Sequence, residues 1–218
     1  MSEFLVSIFD LLKNAFGKNI SVIPKPVLLS NPPVNLQIQP PVIQTVSKTN
    51  IEISLRPKYF KDVVARYGTP YDIKTQQEDE SIKLQWEHDW MELWTSKKFT
   101  EVTGLEWPAT GPFRKIYCNR DLIPYLNVAF KNLIERDLFK ELKTFDGSWC
   151  IRKIRGSTDK WSMHTFALAV DFNQAENKLG EVGKFSEEFL QCWRDSGWTC
   201  GADFERRDFM HYQIVTNA

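Results

Sequence analysis

This chain holds three histidines, and two of them stand near carboxylates at spacings that suit metal chemistry. The first run is Ser162-Met163-His164-Thr165-Phe166-Ala167-Leu168-Ala169-Val170-Asp171, and the second is Asp208-Phe209-Met210-His211. Two imidazoles and one carboxylate are a common protein ligand set for catalytic zinc, with the fourth position open to water. A further carboxylate just before the last histidine suits a general base. The pattern points to metal-assisted hydrolysis.

The elements around these residues must bring them together. Leu168 to Phe172 alternates, with Asp171 and Ala169 on one face and Leu168, Val170 and Phe172 on the other. An aspartate in such an apolar strand is costly unless it is paired or bound to a metal. His164 precedes this strand by one short turn, and His211 opens a second strand, Tyr212 to Val215. If the two strands pair, His164, Asp171 and His211 converge as three ligands. Asp208 on a tight turn would then face the reacting water. Arg155, before Gly156-Ser157, is either solvated or placed to hold an oxyanion or a substrate carboxylate. Ser162 either orients a ligand or touches substrate, and Asp203 either touches substrate or caps a turn. His88 lies between Glu87 and Asp89, which point in different directions on a helix, so it is read as a non-ligand.

The remaining elements read as helices mixed with short antiparallel strands, an α+β pattern. Lys58 to Tyr67 predicts a short helix stopped by Gly68-Thr69-Pro70. Ser81 to Lys97 predicts a longer one, with Trp86, Trp90 and Trp94 sharing a face that packs on the body of the domain, a sugar- or peptide-docking stripe being the alternative. Leu122 to Lys143 and Phe185 to Asp195 predict two more helices, and Trp149 to Ile154 a short strand. Residues 1–21 read as an amphipathic helix, suited to packing or to attachment at a membrane surface or a virion. Residues 22–50, with Pro24, Pro26, Pro32, Pro33, Pro40 and Pro41, read as an extended tether. A helical part over 51–103 and a chemical core over 104–218 complete the expected layout.

Composition narrows the function classes. Lys and Arg total 28, as do Asp and Glu, so the formal net charge is zero. That argues against nucleic acid as a partner, since Arg152, Lys153 and Arg155 cluster in one short segment with no basic run around them. The cysteines, Cys118, Cys150, Cys192 and Cys200, form no CxxC pair and are expected as reduced thiols, with a Cys192–Cys200 disulfide as the alternative. Residues 4–16 are apolar, but Asp10 and Lys13 interrupt them and no cleavage site follows. A protein without a signal peptide, made in the cytoplasm, is the expectation.

The runs SxHxxxxAxD and DxxH resemble the zinc D-alanyl-D-alanine carboxypeptidase and L-alanyl-D-glutamate endopeptidase family. These enzymes cut peptidoglycan stem peptides, and many are bacteriophage endolysins. The resemblance covers residues 104–215, supported by Lys115 to Asn119, Arg155-Gly156-Ser157, Gly197-Trp198 and Gly201 to Phe204. It implies that His164, Asp171 and His211 bind zinc and that Asp208 is the catalytic base. It implies that Arg155 stabilises the oxyanion or positions substrate, and that a small α+β fold surrounds a central antiparallel sheet. The family usually has Gly where Ala167 and Ala202 stand, and often an aromatic residue where Cys200 stands. A Gly required for positive φ would not accept Ala freely. The leading expectation is a peptidoglycan hydrolase released at lysis or carried by a virion. The alternative is a catalytically silent, zinc-bound cell-wall-binding or structural module.

Overall fold

Asp79 begins the first long helix by accepting hydrogen bonds from the amides of Ser81 (3.0 Å) and Ile82 (3.1 Å). In the computed structural model, which describes residues 56–216, this helix is α2, Glu80–Trp90. It follows α1, Phe60–Tyr67, which ends at Gly68 with φ +66°, a left-handed value that glycine accepts without strain. The described residues lie within one compact unit, Lys48–Ala218. The expected N-terminal helix and proline-rich tether lie outside the described residues.

The predicted helix over Ser81–Lys97 is corrected. It stops at Trp90, the chain becomes extended, and Met91–Thr95 forms strand β1 before α3, Ser96–Thr103. β1 pairs antiparallel with β2, Lys115–Asn119, with Trp94 opposite Ile116. The ladder with β2 overrides the helical spacing of the tryptophans. Thr95 then caps α3, accepting from the Lys98 amide at 3.2 Å. Trp94 therefore leaves the face that Trp86 and Trp90 share against Tyr67. Trp86 packs near Trp149 and Phe166, whereas Trp94 meets Trp107, Phe99 and Phe130.

The predicted helix over Leu122–Lys143 is also shorter. A short turn of 3₁₀ helix leads into α4, Ile123–Glu135. Asp137 then takes φ +57°, and the Leu138 amide reaches back to the Leu133 carbonyl at 2.8 Å. That is a Schellman termination with aspartate where glycine usually stands. β3, Phe145–Gly147, follows. Trp149 to Ile154 is no strand of a sheet. It runs beside the turn at 163–166 and bonds to it through Cys150 N to His164 O (3.1 Å) and Arg152 N to Thr165 Oγ1 (3.1 Å). Its only ladder contact is a single bridge between Lys153 and Trp161.

The main sheet has four antiparallel strands in the order β3-β4-β6-β5, where β4 is Ala169–Phe172, β5 Thr199–Cys200 and β6 His211–Gln213. Its β4–β6 register places Asp171 opposite His211 and Val170 opposite Tyr212. α5, Glu187–Asp195, covers one face and is capped by Ser186, which accepts from Phe189 N at 3.1 Å. Trp193 stacks on Tyr212 at 4.5 Å, and Phe172 meets Trp193 and Phe130. The fold is α+β, with two small antiparallel sheets and flanking helices. Much of the aromatic content lies in this core. All four cysteines are free thiols, so Cys192 and Cys200 do not pair. No helix among the described residues is long and apolar enough to cross a membrane.

Candidate metal centre

His164 sits on a 3₁₀ turn, Met163–Phe166, that ends in a left-handed residue. Ser162 caps the turn by accepting from the His164 amide at 3.3 Å. Ala167 closes it at φ 50°, ψ 31°, and its amide returns to the His164 carbonyl at 3.1 Å. This reversal sends the chain into β4, so that His164 and Asp171 meet. Asn119, at the end of β2, buttresses the turn through its amide to Ala167 O (3.2 Å) and its Nδ2 to Phe166 O (3.3 Å).

Ala167 thus occupies the backbone region where glycine is favoured, while Ala202 lies in an ordinary 3₁₀ turn, Gly201–Asp203, with no positive φ. The methyl of Ala167 is fully buried. Relief of left-handed strain and loss of that methyl nearly cancel, so Ala167→Gly is expected to change stability by less than about 1 kcal/mol. Ala167→Val overpacks the turn and is expected to cost about 1–3 kcal/mol. Urea melts of both variants check the pair.

Three candidate ligand atoms converge. His164 Nε2 lies 3.0 Å from Asp171 Oδ1, His211 Nδ1 lies 3.1 Å from the same oxygen, and the two ring nitrogens are 3.1 Å apart. Their other nitrogens fix the tautomers. His164 Nδ1 donates to the Ser148 carbonyl at 3.1 Å, which can only accept. His211 Nε2 donates to Gln213 Oε1 at 2.9 Å, and that amide is oriented by its own Nε2 donating to Val215 O at 2.8 Å. In the neutral imidazoles, two nitrogen lone pairs and a carboxylate oxygen therefore point at one place with no hydrogen among them. Such a cluster is repulsive unless a cation joins it. Ligands about 2.0–2.1 Å from a tetrahedral zinc stand about 3.3 Å apart, close to the observed separations. The residues fit the ion.

Electrostatics agree with this reading. Burial opposes ionisation of Asp171, but its contacts with His164 and His211 outweigh that and hold the carboxyl well below the usual range. Burial also lowers His211, yet its contact with Asp171 raises it further. These groups attract positive charge to one point.

Asp208 lies beside the cluster. Its amide donates to Gly201 O at 2.8 Å, and its carbonyl accepts from the His211 amide at 3.0 Å. A Cβ on Gly201 would stand 2.3 Å from the Asp208 carbonyl oxygen, so glycine is required at 201 for the two loops to touch. Asp208 Oδ1 is buried and has no hydrogen-bond partner among the described residues. Burial, followed by the charge of Asp171, moves its carboxyl upward, against the opposing charges of His211, His164 and Arg155. A carboxylate shifted toward neutrality with an oxygen to spare suits a general base.

A cleft of about 420 Å³ opens over the cluster, lined by Asp171, Asp208 and His211 and rimmed by Arg152, Arg155 and Lys160. Arg155 is exposed on the turn of the Arg152–Ser162 ribbon, with its carbonyl accepting from Arg206 Nη1 at 2.9 Å. Ser162 lines the cleft while serving as the turn cap. Asp203 does not line it; both carboxylate oxygens are engaged by Arg194, at 2.8 and 3.0 Å. His88 is exposed on α2 beside Asp89, away from the cluster.

Sequence reasoning missed Gln213 and Ser148. Gln213 was open to discovery, because residues i and i+2 of a strand share a face and His211 opens β6. Ser148 contributes through its main chain, which leaves no mark in residue type, while its hydroxyl donates to the Tyr117 carbonyl on β2. Gln213→Ala is expected to weaken zinc affinity about 10- to 100-fold with all three ligands intact, as measured by competition with a chromophoric chelator.

A family model described as D-alanyl-D-alanine carboxypeptidase matches residues 155–214, a span that holds Arg155, His164, Asp171, Asp208 and His211. No curated protein and no solved structure gives a significant match. The family match supports a peptidase.

Proposed function

We propose that this chain is a zinc-dependent peptidase that hydrolyses a peptide bond in the stem peptide of peptidoglycan. The observation that carries the reading is the convergence of His164 Nε2, His211 Nδ1 and Asp171 Oδ1, with both imidazole tautomers set by Ser148 and Gln213. The matched family supplies the substrate class, through the description it carries. When bound, zinc supplies Lewis acidity and brings the pKa of a water to about neutral.

The chain's own residues do the rest. Asp208 accepts the proton of the attacking water on its unpartnered oxygen and passes it to the leaving amine. Arg155, on the rim of the cleft, meets the developing oxyanion or a substrate carboxylate. Ser162 holds the His164 turn and stands where substrate enters. The hydrolase is of D-Ala-D-Ala carboxypeptidase or L-Ala-D-Glu endopeptidase type, and its biological setting is phage-encoded wall lysis.

Synthetic stem peptides offered to the zinc-loaded protein test the reading. Release of free D-alanine identifies the carboxypeptidase type, and a fragment beginning at D-glutamate identifies the endopeptidase type. Failure to cut either peptide, in protein holding stoichiometric zinc, would sink the proposal and leave a zinc-bound binding module in its place.

A further inference from the structure

Trp161 stands immediately before Ser162, lines the cleft, and is only 8% exposed. Two of the residues that hold it, Tyr71 and Gln76, come from a loop far upstream, outside the matched span. Tyr71 stacks on its ring at 3.9 Å with the planes 15° apart. Lys153 Nζ lies over the same indole, 3.9 Å from the ring centroid. The indole N–H donates to Gln76 Oε1 at 2.8 Å, and Lys153 Nζ donates to the same oxygen at 3.3 Å. Three contacts therefore hold an indole that is largely buried and still lines the cleft.

The loop that delivers Gln76 is held by its own hydrogen bonds. Asp72 Oδ1 accepts from the amides of Lys74 (2.7 Å) and Thr75 (2.9 Å), and Asp72 O accepts from Gln76 N at 2.8 Å. The Asp72 amide closes the loop onto Gln77 O at 2.9 Å. Gln76 takes φ 57°, an uncommon value for a side-chain-bearing residue, and its Nε2 donates to Ile73 O at 2.7 Å. Backbone strain is tolerated here, and the result is an amide oxygen aimed at two donors on the cleft wall. The wall is the antiparallel ribbon Arg152–Ser162, closed by Ile154 N to Lys160 O (2.8 Å) and Ser162 N to Arg152 O (3.1 Å).

We propose that Trp161 is a substrate-contacting wall of the cleft, and that the 71–77 loop, through Tyr71 and Gln76, is the device that positions it. The proposal rests on the peptidase reading and assigns a specificity role to a segment beyond the matched region. Trp161 offers an apolar edge to a peptide side chain next to the scissile bond, while the rim cations Arg152 and Lys160 flank it. Gln76 is a positioning residue and touches no substrate.

The test compares wild type, Gln76→Ala, Trp161→Phe and the double variant, all zinc-loaded. KM and kcat are measured on a synthetic stem peptide, and its affinity is measured by calorimetry in Asp208→Asn versions. Gln76→Ala is expected to raise KM and weaken affinity roughly 3- to 10-fold, with kcat within about twofold and zinc content unchanged. On the Trp161→Phe background, which has no indole N–H to hold, Gln76→Ala is expected to add less than about twofold. If wild type cleaves peptide and Gln76→Ala matches it in KM and affinity, this inference alone is overturned. Loss of zinc in step with loss of affinity would overturn it too, by placing the effect at the metal centre. If wild type neither cleaves nor binds peptide, the peptidase reading has failed and the inference falls with it.

Discussion

Asp208→Asn is expected to lower kcat roughly 10²- to 10⁴-fold while the protein still takes up one zinc. The side chain keeps its shape and loses only its basicity, and none of the three ligand atoms belongs to it. The same substitution is expected to leave the melting temperature at or above that of wild type at neutral pH. The sign follows from burial. The Asp208 carboxyl is shifted above its ordinary value, so the folded state favours the protonated form. Stability from that form is present below the unfolded value of about 3.9 and is lost as pH rises through the higher folded value. At neutral pH the ionised carboxylate is a burden that Asn removes. Activity runs the other way: its acid limb reports ionisation of Asp208 and falls at a pH above that of an ordinary aspartate. Arg155→Ala removes a cation that lowers the Asp208 value, so the limb is expected to move further up. A pH–rate profile of both proteins, with calorimetric melts, checks each part. A kcat within tenfold of wild type for Asp208→Asn would remove Asp208 from the role of base.

Removing a ligand is expected to have the other large effect. Asp171→Ala and His211→Ala should each lose zinc on dialysis against a weak chelator and fall to background hydrolysis. Zinc at a hundredfold excess over its Kd stabilises a protein that binds it only when folded by about 2.7 kcal/mol. In a domain of this size that is roughly 5–10 °C in Tm. Wild type should show this shift, chelator should reverse it, and Asp171→Ala should show none. A Tm that responds equally to zinc in both proteins would place the metal elsewhere.

The candidate site was more legible in the sequence than the architecture that carries it. His164, Asp171 and His211 could be joined from spacing, because an apolar strand holding an aspartate and a second strand opened by a histidine leave few ways to pair. The resemblance pointed to the same residues, and Ala167, where the family has glycine, does stand in the left-handed region. What the sequence concealed were non-local competitions. Trp86, Trp90 and Trp94 follow helical spacing, yet β2 claims Trp94 through a ladder that no local window contains. Asp137 ends α4 in a conformation usually signalled by glycine, so the helix read as longer than it is. Asp203 read as a possible substrate contact, and only the structure shows Arg194 holding it. The contact of Gln76 with the cleft wall carries no signature at all, because its partner Trp161 is 85 positions away.

Digestion of purified peptidoglycan by the zinc-loaded wild type and by Asp208→Ala, with soluble products identified by mass spectrometry, decides whether this cleft cuts stem peptides. Stem-peptide fragments are expected from the wild type, none from the variant, and one zinc in both. Zinc in both proteins with no fragments from either would contradict the peptidase reading.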